Sequence, residues 1–147
     1  MANQYVDLET LKFLLYNVHD VQEVLDQERY ADYDKESIEL LVNSVKDFSD
    51  KELFPYFREM DETPAHFKDG EIIVHPQVTK FIKAGGEMGL LSGSFPYEKG
   101  GLQLPGMASH ASAFIQDAAN NHLPGYIGLT VGAAELISHF ASQELTD

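Results

Sequence analysis

Histidine is the residue type of this chain best suited to bind a metal or transfer a proton at neutral pH. The six histidines are His19, His66, His75, His110, His122 and His139. No two of them are spaced as in H-x-x-x-H, and the motif H-E-x-x-H does not occur. Because a metal site needs several ligands that converge at defined spacing, we expect ordinary surface or loop histidines and no metal centre.

Carboxylates and serines are the other candidate catalytic groups. An acid–base pair needs two carboxylates in one pocket that shifts their pKa values apart. The acidic residues that stand out lie on predicted polar faces instead: Glu9, Glu23, Glu28, Asp61 and Glu62. The serines at 92, 94, 109, 112 and 142 lack the G-x-S-x-G setting of a hydrolase nucleophile, and the chain has no cysteine. The sequence therefore predicts no catalytic residue in this chain.

Glycines are concentrated in two adjoining stretches. The GGEMG of residues 85–89 does not predict a dinucleotide site, because that fingerprint needs a strand before the glycines and a helix after them. Residues 88–104, MGLLSGSFPYEKGGLQL, combine an apolar helix end, a Phe-Pro step and a Gly-Gly turn. Glycines there can supply positive φ or a close backbone approach. Spacing alone indicates an ordered connection between two helices.

Composition narrows the classes of partner. The net charge is −14 with no basic patch, so nucleic acids and anionic membranes are not expected partners. No apolar run reaches the roughly 18 residues that span a bilayer, and the N-terminus has no signal-peptide pattern. The lack of cysteine suits a cytoplasmic protein. Apolar residues make up 44% of the chain, enough for a packed core.

The elements that would position any site are helices. Asp34 is expected to cap the longest one, and Asp20 and Glu23 have the spacing of a capping box. Prolines are expected at the starts of three helices, and Pro55 is expected to interrupt or kink the longest one. The expected helices span 7–17, 20–27, 34–53, 76–89, 105–120 and 124–140. Residues 60–70 are expected to form a polar loop, and only Glu71–His75 has the pattern of a strand.

Apolar residues three and four apart predict which helix faces are buried. They are Ile38, Leu41, Val42, Val45 and Phe48 in the longest helix; Val78, Phe81 and Ile82 in the next; Met107, Ala111, Phe114, Ile115 and Ala118 in the third; and Ile127, Val131, Ala134, Ile137 and Phe140 in the last. Ser142 has the character of an N-cap, and only one further turn follows it. Since so short a helix gains little, we expect the natural polypeptide to continue and this chain to be a fragment.

Residues 88–104 resemble a hallmark of the acyl-CoA dehydrogenase family. The family pattern is an apolar helix end, Gly-Leu-Leu, a short spacer, then Pro-x-x-Tyr-Gly-Gly-Leu-Gly. This chain has Met88–Leu91 and then Phe95–Leu102, with Lys99 where Tyr is common and Gln103 where Gly is common. The helix order agrees over about residues 31–147. The chain thus resembles the N-terminal helical domain of that family, with residues 1–30 similar to the N-terminal extension of a long-form branch that includes 3-methylmercaptopropionyl-CoA dehydrogenases.

The resemblance implies an all-α, up-and-down helical bundle and an enzyme that is larger than this chain. The implied reaction is α,β-dehydrogenation of an acyl-CoA thioester, with FAD as cofactor and an electron-transfer flavoprotein as redox partner. The full-length protein would be a homo-oligomer. Its catalytic glutamate and most flavin contacts lie in domains that follow this one, so the fragment alone is expected to be inactive.

The same resemblance implies that this domain supplies one wall of the acyl pocket. The residues that would line it are Tyr126, Ile127, Thr130 and Ala134, with His122 to Gly125 at the start of that helix. The alternative is that they are ordinary core residues, because this spacing is also simple helix packing. Bulky Tyr126 would favour a short or polar acyl group.

Two other functions remain open at the level of sequence. One is a stand-alone acidic helical interaction module. The other is a related flavoprotein of the acyl-CoA oxidase type.

Overall fold

The computed structural model describes residues 5–146, and helices dominate it, which confirms the all-α prediction. The helices are α1 (Leu8–Phe13, extended by a π turn at Leu14–Val18), α2 (Val21–Leu25), α3 (Lys35–Glu52), α4 (Phe57–Glu62), α5 (Gln77–Glu87), α6 (Gly106–Asn120), α7 (Pro124–Phe140) and α8 (Gln143–Thr146). Three short 3-10 turns span Glu28–Tyr30, Phe54–Tyr56 and Tyr97–Lys99. One two-stranded hairpin, β1 (His66–Lys68) and β2 (Glu71–Ile73), lies between α4 and α5.

The long helix α3 begins at a capping box, as predicted at Asp34. The Asp34 carboxylate accepts the backbone N–H of Ser37 at 2.8 Å, and the Ser37 hydroxyl oxygen accepts the backbone N–H of Asp34 at 2.8 Å. These bonds satisfy two donors that the first turn of a helix leaves free. They fix the start of the helix on which the core is built.

The capping carboxylate makes the stability of α3 depend on pH. The backbone N–H of Ser37 lowers the pKa of Asp34. The extra stability of the ionised cap is therefore complete above the ordinary carboxyl pKa of about 4 and is lost as pH falls through the lower folded value. We expect Asp34→Asn, which keeps a capping oxygen but no charge, to melt about 2 °C below wild type at neutral pH. Thermal melts from pH 7 to pH 2.5 should show this difference shrinking as the carboxylate becomes protonated, and a constant difference would contradict the prediction.

α3 ends just before Pro55, and the buried side-chain amide of Asn120 binds the backbone at this end. The chain passes through the 3-10 turn at Phe54–Tyr56 into α4, as expected for a proline that cannot continue the helical bonding. The side-chain amide of Asn120 donates to the carbonyl oxygen of Leu53 at 3.1 Å, and both residues are buried. This bond ties the end of α6 to the end of α3.

The core is built on α3 and α6. In its first cluster, Ile38, Val42 and Val45 of α3 pack with buried residues of α6 and of the N-terminal segment. Those partners are Ala108, Ala111, Ile115, Val6, Leu15, Val21 and Leu25. A second cluster joins Phe48, Leu53, Met60, Val78, Phe81, Ala119, Leu123 and Ile127. The described part of the predicted N-terminal extension therefore packs on the α3–α6 pair; its residues 1–4 lie outside the described residues.

Two local predictions are wrong. Asp20 lies at the start of α2 in the left-handed conformation (φ 47°), and its side chain makes no capping bond. Residues 60–70 are not a loop, because α4 runs to Glu62 and His66–Lys68 pairs antiparallel with Glu71–Ile73. The turn between the strands is Asp69–Gly70, with positive φ at both residues, which is the backbone of a type I′ hairpin.

Several residues predicted to face inward are exposed. Ile82, Phe114, Ile137 and Phe140 all present large apolar surface, and Phe140 is 82% exposed. In α6 the predicted Ala111 and Ile115 are buried, but the other buried positions are small or polar residues and not the predicted Met107, Phe114 and Ala118: Ala108, Ser112, Gln116, Ala119 and Asn120. Among the described residues of α7 only Ile127 is buried. The reason is that α6 contacts α3 closely through small side chains, while most of α7 has no described neighbour to cover it.

Candidate functional site

The loop between α5 and α6 folds back on itself. Backbone N–H groups of Leu102 and Leu104 donate to the carbonyl oxygens of Ser92 (3.2 Å) and Gly93 (2.8 Å), so its two arms are paired. Gly89 begins the loop at φ +77°, and a Cβ there would lie 2.7 Å from Cδ1 of Leu102. Glycine adopts this conformation without strain, and a Cβ there would also require the Leu102 side chain to shift.

The tightest contact in the loop is at Gly101. A Cβ on Gly101 would lie 2.0 Å from the carbonyl oxygen of Phe95, which already accepts the N–H of Gln103 at 2.8 Å. The second glycine of the Gly-Gly motif is therefore required by a close approach of the two arms. Gln103 itself has φ +49°, in the left-handed region that glycine favours.

Side chains fasten the loop to the helices on either side of it. The hydroxyl of Ser94 donates to Oε1 of Glu135 on α7 at 2.7 Å, and Lys99 donates to the carbonyl oxygen of Ser138 at 3.3 Å. These two bonds reach α7 at positions one turn apart and hold the loop against that helix.

The opposite edge of the loop is held by the N-terminal segment. The amide of Gln103 donates to the carbonyl oxygen of Arg29 at 2.7 Å, and the phenol of Tyr33 donates to the carbonyl oxygen of Leu102. Burial raises the pKa of the Tyr33 phenol, so it remains a donor at neutral pH. Residues 28–33 are thus part of the frame that positions the loop.

A groove of about 350 Å³ lies between this loop, α6 and α7. Its volume is at the lower end of the range for small-molecule sites. Its apolar lining is Leu90, Gly93, Leu104, Ala113, Pro124, Ile127, Gly128, Val131 and Gly132, and its polar lining is Ser94, Ser109, His110, Ser112, Gln116 and Glu135. From Pro124 to Glu135 the groove follows α7 for about 16 Å, at about 1.5 Å per residue.

The glycines of α5 and α7 shape this groove. Gly85 lies against α7, and a Cβ on it would approach Cδ1 of Ile127 to 2.9 Å. Gly85 of the GGEMG stretch therefore makes a close helix contact with Ile127, which lines the groove. A Cβ on Gly128 or Gly132 would meet no heavy atom within 4 Å, so these positions leave open width along the wall.

The four predicted acyl-pocket residues do not all lie on this groove. Ile127 lines it, whereas Tyr126 lines a separate hollow of about 120 Å³ beside His75 and His122. Thr130 is exposed, and its hydroxyl donates to the carbonyl oxygen of Tyr126 at 2.9 Å. Ala134 is half-buried and does not line the groove. The α7 residues that line the groove form the neighbouring stripe of Gly128, Val131, Gly132 and Glu135. The sequence did not identify this stripe as a pocket wall, because small residues and a carboxylate have no pattern that distinguishes a pocket from a surface. Substrate binding by the four remains a prediction.

A larger hollow of about 520 Å³ lies between α1 and α6, lined by Leu11, Leu14, Leu15, His19, Met107, His110, Ala111 and Phe114.

Within residues 5–146, no group of three or more histidine or acidic side chains is placed to hold a metal ion. No helix of that described range is both long and apolar enough to cross a bilayer.

Comparison with known families shows which family this chain belongs to. A sequence model of the acyl-CoA dehydrogenase N-terminal domain matches residues 35–147, which is most of the chain. The chain belongs to the acyl-CoA dehydrogenase family. No curated protein and no solved structure matches the chain significantly. The family match includes the loop and both helices of the groove, but it begins after the N-terminal segment that holds Gln103.

In this acyl-CoA dehydrogenase domain, α7 presents an apolar face with no described neighbour. Leu129 and Phe140 are more than four-fifths exposed, and Leu136 is 62% exposed. A contiguous apolar surface of this kind favours association. We expect the isolated chain to associate as its concentration rises, and the double variant Leu129→Ser/Phe140→Ser to need at least about tenfold higher concentration.

Light scattering or sedimentation across a wide concentration range measures this. The control is Leu40→Ser, which removes another exposed leucine (66%) from α3. The control should associate as the wild type does. A wild-type chain that stays monomeric throughout the range would contradict the expectation.

Proposed function

We propose that this chain forms one wall of the acyl pocket in a flavin-dependent acyl-CoA dehydrogenase, an enzyme that introduces an α,β double bond into an acyl-CoA thioester. Membership of the family supports the class of reaction. The observation that supports the role of this chain is the groove along α7, which is narrow, mainly apolar and walled by the family's hallmark loop.

The groove residues have simple tasks in this proposal. Ile127, Val131 and Leu104 exclude water from the acyl chain, and burial of each methylene contributes about 0.8 kcal/mol. The glycines of α7 set the width of the wall. The bonds from Ser94 and Lys99 to α7 hold the loop so that the wall has one shape.

A flavin dinucleotide does not fit the residues of this groove. Its pyrophosphate needs cationic or amide donors, whereas no lysine or arginine is among the described lining residues and Glu135 adds a negative charge. The free volume of about 350 Å³ suits an acyl chain rather than a dinucleotide. In this proposal, residues outside this chain bind FAD and the anionic part of CoA and supply the catalytic base. Residues within the chain perform no step of the reaction.

The partners follow from the same assignment. The electron acceptor would be an electron-transfer flavoprotein, and the full-length enzyme would be a homo-oligomer. The exposed face of α7 supports packing against further protein, because its leucines and Phe140 have no described cover. The proposal keeps the long-form branch suggested by residues 1–30, whose Arg29 accepts the bond from Gln103 of the loop.

The deciding experiment uses the uninterrupted reading frame that contains this chain. The purified product is titrated under anaerobic conditions with acyl-CoA thioesters of different chain lengths while the visible flavin absorption is followed. Bleaching by one thioester supports the dehydrogenase, and rapid reoxidation by oxygen alone would favour an acyl-CoA oxidase. A colourless product that binds no thioester would overturn the proposal.

The second candidate is a helical interaction module. The observation that favours it is the exposed apolar surface of α7, together with the hairpin residues Phe67 and Ile72, which are each about two-thirds exposed. It predicts that the product binds a protein partner and no acyl thioester. The flavin titration separates the two candidates.

A further inference from the structure

Glu135 places a charge without a described cationic partner in the wall of the groove. Its Oε1 accepts the Ser94 hydroxyl at 2.7 Å, and its Oε2 has no hydrogen-bond or ion-pair partner within residues 5–146. Lys99 lies on the same loop but donates to Ser138 instead. A carboxylate can accept about four hydrogen bonds, so most of this capacity faces the groove or solvent.

A second acceptor lines the same groove. Nδ1 of His110 lies 2.7 Å from the carbonyl oxygen of Gly106, and because a carbonyl only accepts, Nδ1 carries the hydrogen. With the hydrogen on Nδ1, the uncharged form of the ring has Nε2 as its acceptor. The Ser109 hydroxyl is buried with no hydrogen-bond partner within residues 5–146, and it can donate or accept. The charged and ring groups of the groove thus favour a ligand that brings donors.

We propose that Glu135 makes this groove selective for acyl groups that carry a hydrogen-bond donor and against acyl groups that end in a carboxylate. The inference rests on the proposed acyl-pocket function. A purely hydrocarbon chain displaces water from the Glu135 carboxylate and returns no hydrogen bond. A hydroxyl or ammonium group donates to the free oxygen, whereas a second carboxylate meets a like charge.

Charge also sets the direction in which the acyl chain lies. CoA carries phosphates, which the carboxylate of Glu135 repels. The thioester therefore lies on the Pro124 side of Glu135 along α7, and the acyl terminus lies next to Glu135. The selected donor is consequently on the terminal part of the acyl group.

Neutral thioesters of N-acetylcysteamine test this without the charge of CoA. The probes are the hexanoyl, ω-hydroxyhexanoyl and ω-carboxypentanoyl thioesters, which have equal carbon counts. Each is titrated into the isotope-labelled 147-residue chain at a concentration below its onset of association, and the amide shifts of Gly128 and Gly132 give its Kd. We expect the hydroxyl probe to bind about fivefold tighter than hexanoyl and the carboxylate probe about tenfold weaker.

Variants assign the selectivity to Glu135. Glu135→Gln should bring the carboxylate probe within about twofold of hexanoyl, because the like charge is gone. Glu98→Gln removes one charge from the same loop outside the groove lining and should keep the wild-type ranking. Ser94→Ala retains the Glu135 charge, so it should still reject the carboxylate probe even where its loop is looser.

The outcomes separate this inference from the proposed function. Equal binding of all three probes to wild type, or an unchanged ranking in Glu135→Gln, would overturn the selectivity and leave the acyl groove standing. If no probe shifts Gly128 or Gly132 in wild type, the groove is not an acyl site and both proposals fail.

Discussion

Gly101→Ala is expected to lower the free energy of unfolding by roughly 3 kcal/mol and to open the wall of the groove. The added Cβ would lie 2.0 Å from the carbonyl oxygen and 2.4 Å from the carbonyl carbon of Phe95, and backbone atoms do not yield as a flexible side chain does. One arm of the loop must move, which breaks the bond from the N–H of Gln103 to Phe95. For a chain of this size the loss corresponds to a melting temperature roughly 10 °C lower.

Substitutions of two other glycines in the same region are the controls for Gly101→Ala. Gly100 has φ +73° and open space, so Gly100→Ala should cost only the roughly 1 kcal/mol of a left-handed alanine. Gly106, the first residue of α6, has open space and no positive φ, so Gly106→Ala should change stability by less than about 0.5 kcal/mol. Thermal or urea unfolding measures all three variants. If Gly101→Ala unfolds together with Gly106→Ala, the close approach of the two arms is not present in solution.

The helical framework was predictable because its signals are local. The Asp34 cap, the apolar stripe of α3 and the break at Pro55 each depend on residues within one or two turns, and all are confirmed. The hairpin was missed although Asp69-Gly70 is a strong turn signal, because its three-residue strands are too short to show an alternating pattern.

The faces of α6 and α7 were less predictable because burial depends on neighbours. Apolar periodicity in α6 indicated Phe114 inside, yet the close contact with α3 selects Ala108, Ser112 and Ala119, and Phe114 is 54% exposed. In α7 nearly every position is apolar or small, so periodicity does not distinguish one face from another.

The groove was predictable only in part. The resemblance identified the helix and Ile127, but the open wall is formed by Gly128 and Gly132, whose lack of a side chain gives no hydrophobic signal. The bonds from Ser94 to Glu135 and from Gln103 to Arg29 join residues 41 and 74 positions apart. Contacts at such separations follow from the folded arrangement and not from spacing in the sequence.

Gly128→Leu is expected to abolish acyl binding while the fold stays intact. Its Cβ meets no heavy atom within 4 Å, so the leucine side chain enters the open groove rather than the core. The side chain then occupies space that an acyl chain would need, and we expect the hexanoyl thioester of N-acetylcysteamine to bind at least about 100-fold more weakly, equivalent to about 2.7 kcal/mol. The melting temperature should not fall, because leucine favours a helix over glycine by up to about 1 kcal/mol.

Gly125→Leu is the matched control on the same helix. Gly125 also has open space around it, is exposed and does not line the groove, so this variant makes the same chemical change one turn away. It should gain the same helical stability and bind the hexanoyl probe as wild type does. Because the two variants share composition, helix and propensity, a difference between them in binding can come only from the groove. If Gly128→Leu binds the probe as tightly as Gly125→Leu, the wall formed by α7 does not contact the acyl chain.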